Sequence, residues 1–246
     1  MPTIKKLLLA ATTLNAMTYN AQAATFTTAP LEDGTAIYLT GDIEKEDAKT
    51  FFDLTKNIYR GAVILNSYGG SARGGWGIGL RIKEKGYATA VENEATCASA
   101  CSDIWLAGSK RYAGEHAQIG FHTTFDIKKT KDRKGNVVER HIRAPEGNRI
   151  ASQYYTELGL SPRTIKELLA AGPDDMRWLN WDLAAKWGVA IIKIEYKTAA
   201  TSEKAPENLP QQTSENKDRN FRAPNLWPTL LCSETLEPQR GCLRNW

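Results

Sequence analysis

The sequence predicts an α/β protein with a largely parallel sheet. Three observations point there. Short apolar runs recur at residues 35–41, 62–66 and 87–91. Stretches with helical spacing separate them. The middle run, Ala62-Val63-Ile64-Leu65, is apolar without alternation, as expected of a parallel strand covered on both faces.

The elements follow in order. Residues 35–41 read as a strand closed by Gly41, and residues 44–57 as a helix with early acids and Phe51, Phe52 and Leu54 along one face. The strand at 62–66 runs into Ser67-Tyr68-Gly69-Gly70-Ser71, after which Trp76, Ile78, Leu80 and Ile82 lead a helix to Gly86. The strand at 87–91 is the approach to Cys97-Ala98-Ser99-Ala100-Cys101. The exit is a helix ending at Gly108, a residue suited to a left-handed cap. A sharp strand-to-helix turn exposes a hydroxyl and aims the free N–H groups of the first helical turn beside it. Ser99 is therefore the candidate nucleophile; the plainer alternative is a small residue that lets a helix start close against a sheet. Residues 117–122 form a short strand ending in His122. Residues 125–145 read as a charge-dense excursion with a hairpin tip at Lys134-Gly135-Asn136 and a surface histidine, His141. A gating or subunit-contact arm is the functional alternative for it. Helices over 146–158, from Pro162 behind a Ser161 cap, and over 182–187 precede a strand at 189–196.

At 246 residues, 41% apolar and 24% charged, the chain has the composition of a globular domain, with or without a tail. Lys5 and Lys6, an apolar run over 7–17 and Ala21-Gln22-Ala23 have the three-part plan of a secretory signal peptide. The mature chain would then begin at Ala24, in the periplasm or outside the cell. Losing those two lysines and no acid lowers the formal charge from +4 to +2, too near neutral to argue for nucleic acid. No other run is apolar for long enough to span a membrane. In an oxidising compartment Cys232 can pair with Cys242, and Cys97 with Cys101 around Ser99. Four cysteines with no histidine in ligand spacing make a poor zinc site. The Gly69-Gly70 turn has neither dinucleotide-binding nor phosphate-loop spacing, which leaves an oxyanion-type donor or a plain tight turn. The expected organisation is a leader at 1–23, a domain over 24–197, a linker over 198–220 and a cysteine-containing appendage over 221–246.

Residues Ile37-Tyr38-Leu39-Thr40-Gly41-Asp42-Ile43, Leu65-Asn66-Ser67-Tyr68-Gly69-Gly70-Ser71, Ala98-Ser99-Ala100 and Ile119-Gly120-Phe121-His122 resemble the proteolytic subunit of the Clp protease. They are more similar still to its exported bacterial relatives, the ClpP-like periplasmic proteins of the crotonase-like superfold. The resemblance runs from about Thr35 to about Ile194, the excursion excluded. It implies a spiral core of repeated β-β-α units and a serine peptidase that needs neither metal nor nucleotide. It places Ser99 on the nucleophile, His122 on the general base, and the N–H groups of Gly70 and Ala100 on the oxyanion hole. Peptides or unfolded segments are the implied substrates, and rings of subunits the implied assembly. Two positions depart from the pattern: Tyr68 stands where a proline is usual, and Met176 stands at the orienting aspartate. Asp175, one residue away, is the expected substitute, and Asp174 is two away. Two functions stay open at this level: an exported serine hydrolase, and a non-catalytic binding or assembly protein on the same fold.

Overall fold

The computed structural model describes residues 23–195. The expected leader, linker and appendage, and the Cys232–Cys242 pairing, lie outside the described residues. In chain order the elements are β1 (Thr25–Leu31), β2 (Gly34–Thr40), α1 (Asp47–Leu54), β3 (Gly61–Asn66), α2 (Ala72–Lys85), β4 (Ala88–Val91), β5 (Thr96–Ala98) and α3 (Ala100–Leu106). They continue with β6 (Arg111–Ala113), β7 (Gln118–Phe121), β8 (Phe125–Lys131), β9 (Val137–Arg143), α4 (Pro145–Glu157), α5 (Pro162–Leu168), β10 (Arg177–Leu179), α6 (Trp181–Trp187) and β11 (Ile192–Lys193).

The main sheet has the order β1-β2-β3-β4-β6-β11, parallel throughout except for the antiparallel edge strand β1. Its middle strand β3 shows why the run at 62–66 carries no alternation. Val63 and Leu65 face the large core beneath the helices, while Ala62 and Ile64 face a smaller apolar cluster on the other side. Successive strand side chains point to opposite faces, so covering both faces demands an unbroken apolar run. Helix α2 starts at Ser71, whose hydroxyl accepts from the Gly74 N–H, and ends at Gly86 in the left-handed conformation. It crosses α3 closely at Gly75, where a Cβ would stand 2.7 Å from the Ala100 carbonyl oxygen.

A second, smaller sheet, β10-β7-β5, stands beside the first, with Ser99 just past the end of β5 and His122 just past the end of β7. The link is made at Ser67, just past β3. Its N–H donates to the Thr96 carbonyl at 2.8 Å, and its carbonyl accepts from the Ala98 N–H at 3.1 Å. This places the glycine turn after β3 against the end of β5.

Three expectations are corrected. The strand leading directly into Ser99 is β5, not the run at 87–91, which belongs to the main sheet as β4. Gly108 is not a left-handed cap; a Cβ there would collide with the Thr89 hydroxyl, so close approach to β4 is what requires glycine. Within the described part of the strand expected at 189–196, which ends at residue 195, the strand is β11, two residues long. The excursion is a regular hairpin, β8 with β9, paired from Phe125↔Arg143 to Lys131↔Val137. No helix among the described residues is long and apolar enough to cross a membrane.

Candidate active site

The chain turns from β5 into α3 on Ser99, with φ 56° and ψ −125°. A positive φ in a residue that carries a Cβ costs on the order of 1–3 kcal/mol and persists only where the surroundings hold it. They hold it here from several sides. The Ser99 N–H donates to the Gly120 carbonyl at 2.9 Å, and the Ser102 hydroxyl lies 2.7 Å from both the Gly120 and the Ser99 carbonyl oxygens. Buried Cys97 and Cys101, their Cα atoms 5.1 Å apart, are joined as a disulfide across the turn.

Strand β7 runs parallel to β5 with Gly120 against Ala98, so the residue just past its end reaches the same turn. That residue is His122. Its Nε2 stands 2.7 Å from the Ser99 Oγ, and its Nδ1 2.6 Å from the Thr123 carbonyl oxygen. A carbonyl only accepts, so Nδ1 carries the proton and Nε2 offers its lone pair to the serine hydroxyl. The ring is thereby fixed in the tautomer a general base requires. Burial holds its pKa below the ordinary histidine value, against an opposing pull from the Thr123 carbonyl and with the charge of His141 adding to the depression. Thr123 is itself fixed. Its N–H donates to Ala171 at 3.1 Å and its hydroxyl to Asn148 Oδ1 at 2.8 Å. The same Asn148 oxygen accepts the Thr124 N–H at 2.9 Å.

The expectation that Asp175 orients His122 is corrected here. The Asp175 N–H donates to the Gly172 carbonyl at 3.2 Å, and its carboxylate packs beside Gly172. Asp174 meets His141 Nδ1 at 2.8 Å instead. The His141 ring lies 4.3 Å from Phe125, which in turn lies 5.5 Å from His122. The position opposite His122 belongs to Met176. β10 pairs with β7 at Arg177↔Phe121, and one further step sets Met176 opposite His122. A thioether sulfur is only a weak acceptor, and Nδ1 meets the Thr123 carbonyl instead. Accordingly, Asp175→Asn is expected to leave reaction at Ser99 within about twofold of wild type in a labelling assay. Losing a true orienting carboxylate costs about 10⁴.

Gly69 and Gly70, at φ 106° and 133°, form the turn beside Ser99, with Gly69 packed directly against it. A Cβ on Gly69 would come within 2.7 Å of the Ser99 Cβ and 3.0 Å of the Ala100 nitrogen. Ile43 bridges this turn, donating to the Gly69 carbonyl at 2.7 Å and accepting from the Ser71 N–H at 2.6 Å. In that parallel pairing Gly70's own N–H faces away from Ile43. Ala100 is the first residue of α3, so its N–H has no acceptor inside the helix. Both residues line one cleft of about 240 Å³ with Ser99, His122, Tyr68 and Met176.

Sequence reading missed the acid that lines the cleft. Asp103 lies one turn along α3 from Ser99, buried, with its carboxylate accepting from the Trp76 indole at 2.9 Å and the Tyr155 hydroxyl at 2.5 Å. The signal was available: Asp103 is the one charged residue in the helix Ala-Cys-Ser-Asp-Ile-Trp-Leu, all of which is buried. Burial pushes its carboxyl up to about 7, against the pull of the two donors. The unfolded value is near 3.8. Between the two the folded state holds a proton that the unfolded chain has released, so this group's contribution to stability falls as pH rises from 4 to 7 and is flat above. In urea titrations, the stability difference between wild type and Asp103→Asn is expected to change by a few kcal/mol across that window, with wild type losing ground.

Comparison with solved structures gives matches of low identity. The chain is similar to a serine-to-alanine mutant of the 1510-N membrane-bound stomatin-specific protease at 19% identity, over 64% of this chain and 77% of that one, with a TM-score of 0.46. It is similar to a lysine-to-alanine mutant of the same protease in complex with a substrate peptide, at 19% identity over 64% and 73%, TM-score 0.45. It is also similar to an asparagine-to-aspartate mutant of ClpP1 from Listeria monocytogenes, at 22% identity over 65% and 91%, TM-score 0.45. No protein-family model and no curated protein matches the chain.

Proposed function

We propose that the protein is an exported serine hydrolase acting on peptide bonds, with Ser99 as nucleophile and His122 as general base. The observation that carries this reading is the 2.7 Å contact between the Ser99 hydroxyl and an imidazole nitrogen whose other nitrogen is committed to a carbonyl. In the first step Ser99 Oγ bonds to the peptide carbonyl carbon while its proton passes to His122 Nε2. The carbonyl oxygen takes the displaced electron pair, and the N–H groups of Gly70 and Ala100 stabilise it. Collapse breaks the C–N bond, and His122 returns the proton to the departing amine. Water then repeats the sequence on the acyl-serine, with His122 again accepting a proton and Ser99 leaving as the hydroxyl. These residues complete the cycle without a further reactant.

The Thr123 carbonyl fixes the tautomer but brings no full negative charge to the imidazolium. Turnover is therefore expected to be slower than with a carboxylate in that place. This same feature favours the second reading, a peptide-binding protein on the same scaffold. Incubation with fluorescein-labelled casein, without nucleotide, separates the two. The hydrolase releases soluble fluorescence, and Ser99→Ala does not. A binder retains the casein intact, and Ser99→Ala behaves as wild type does.

A further inference from the structure

Asp103 has a second side. Asp103 ties α2, α3 and α4 together: its carboxylate accepts from the Trp76 indole and the Tyr155 hydroxyl, and its main-chain carbonyl accepts from the Tyr154 hydroxyl at 2.8 Å. Were it sealed in the core, that clamp would account for it. It is not sealed, because Asp103 and Tyr155 both line the cleft that contains Ser99 and His122. Ser99 caps the helix whose first turn holds Asp103, and both residues line the cleft. The Asp103 N–H donates to the Ser99 carbonyl at 3.3 Å.

The carboxylate is also uncompensated. Both of its donors are neutral, and no lysine, arginine or histidine among the described residues forms an ion pair with it. An ionised carboxylate accepts about four hydrogen bonds, of which the protein supplies two. A buried acid without a counter-charge is costly to ionise, so it tends to keep its proton while the cleft is empty, and a seated cation favours its release. The apolar part of the cleft lining includes Ala72, Ala100, Phe121 and Met176, which suit the methylenes of a long side chain.

We propose that Asp103 forms the floor of a specificity pocket beside Ser99 that takes a lysyl or arginyl side chain of the peptide, from the residue whose carbonyl Ser99 attacks. The proposal rests on the hydrolase reading for the position of the scissile bond, but not for the charge preference of the pocket. A seated ammonium or guanidinium supplies the missing donors and the missing positive charge. Removing its charge while keeping its length isolates that contribution.

The test compares peptide amides identical except for lysine, arginine or norleucine before the cleaved bond. Wild type is expected to show kcat/KM for lysine and arginine about 10²-fold or more above norleucine. Asp103→Asn should collapse that ratio to within about threefold, chiefly through loss on the basic substrates. The proposal is overturned if wild type cleaves norleucine as well as lysine, a result that needs no variant to fold. It is overturned equally if Asp103→Asn lowers all three together. Calorimetry with agmatine, against butanol as the neutral control, reads the pocket without catalysis. Agmatine binding by wild type, weakened at least tenfold in folded Asp103→Asn, supports the pocket even where no substrate is cleaved, and that combination removes the hydrolase reading alone. Absence of agmatine binding together with absence of a basic preference overturns the pocket.

Discussion

His122→Ala is expected to lower kcat/KM for peptide hydrolysis by about 10²–10⁴-fold, and Ser99→Ala to bring it to background. The loss arises because the hydroxyl keeps its proton when the acceptor 2.7 Å away is gone. Because the two side chains act as one unit, the double variant Ser99→Ala/His122→Ala should be no slower than Ser99→Ala alone. Neither change should unfold the protein. His122 is half-buried at the cleft edge, and the turn that bears Ser99 is held chiefly by backbone bonds to Gly120 and by the disulfide. Circular dichroism and urea titration check that the losses are chemical. Additive losses in the double variant would mean that the two residues work separately.

Gly70→Ala is the second large effect. A Cβ at this position would run into the Ile43 carbonyl oxygen and lie 2.8 Å from the Ile43 nitrogen, at a φ of +133° that side chains rarely adopt. Backbone strain and overpacking together are expected to cost about 2–5 kcal/mol, read as a shift in the urea midpoint. Because the turn must move, the Gly70 N–H would leave the place that the proposed oxyanion hole gives it. Folded protein should therefore also lose about 10²–10³ in kcat, the usual effect of removing one oxyanion donor. Gly135→Ala at the hairpin tip is the control. Its φ is +84°, but nothing lies within 4 Å, so about 1 kcal/mol and no change in hydrolysis are expected. Loss of stability in Gly70→Ala with full activity in the folded fraction would remove Gly70 from the oxyanion hole.

The contrast between what was legible in the sequence and what was not has physical causes. The apolar run at 62–66 signals its place because burial on two faces leaves a composition, not a period, as its trace. Ser99 and His122 were legible because small residues crowd the turn and a strand visibly stops at the histidine. Strand β5 escaped because three residues are too few to show alternation, and the turn before it uses Glu94 at positive φ rather than a glycine. Edge strand β1 escaped because its side chains are mostly exposed or half-exposed, so no apolar pattern marks it. The misassignment of Asp175 has a different origin. The partner of Nδ1 is a backbone carbonyl, which every residue possesses, and its positioning depends on Asn148, a contact 25 positions from Thr123. Asp174 was equally opaque, since its contact with His141 depends on where a long hairpin folds back. Motif reading finds side chains by type and spacing; groups supplied by the backbone leave no such mark.

Reaction of wild-type protein with a fluorophosphonate, followed by peptide mapping in a mass spectrometer, tests the central claim most directly. One phosphonyl adduct on the peptide that carries Ser99, absent in Ser99→Ala and formed at least 10²-fold more slowly in His122→Ala, is the expected result. An adduct on another residue, or an unmodified Ser99 in folded protein at pH 8, would contradict it.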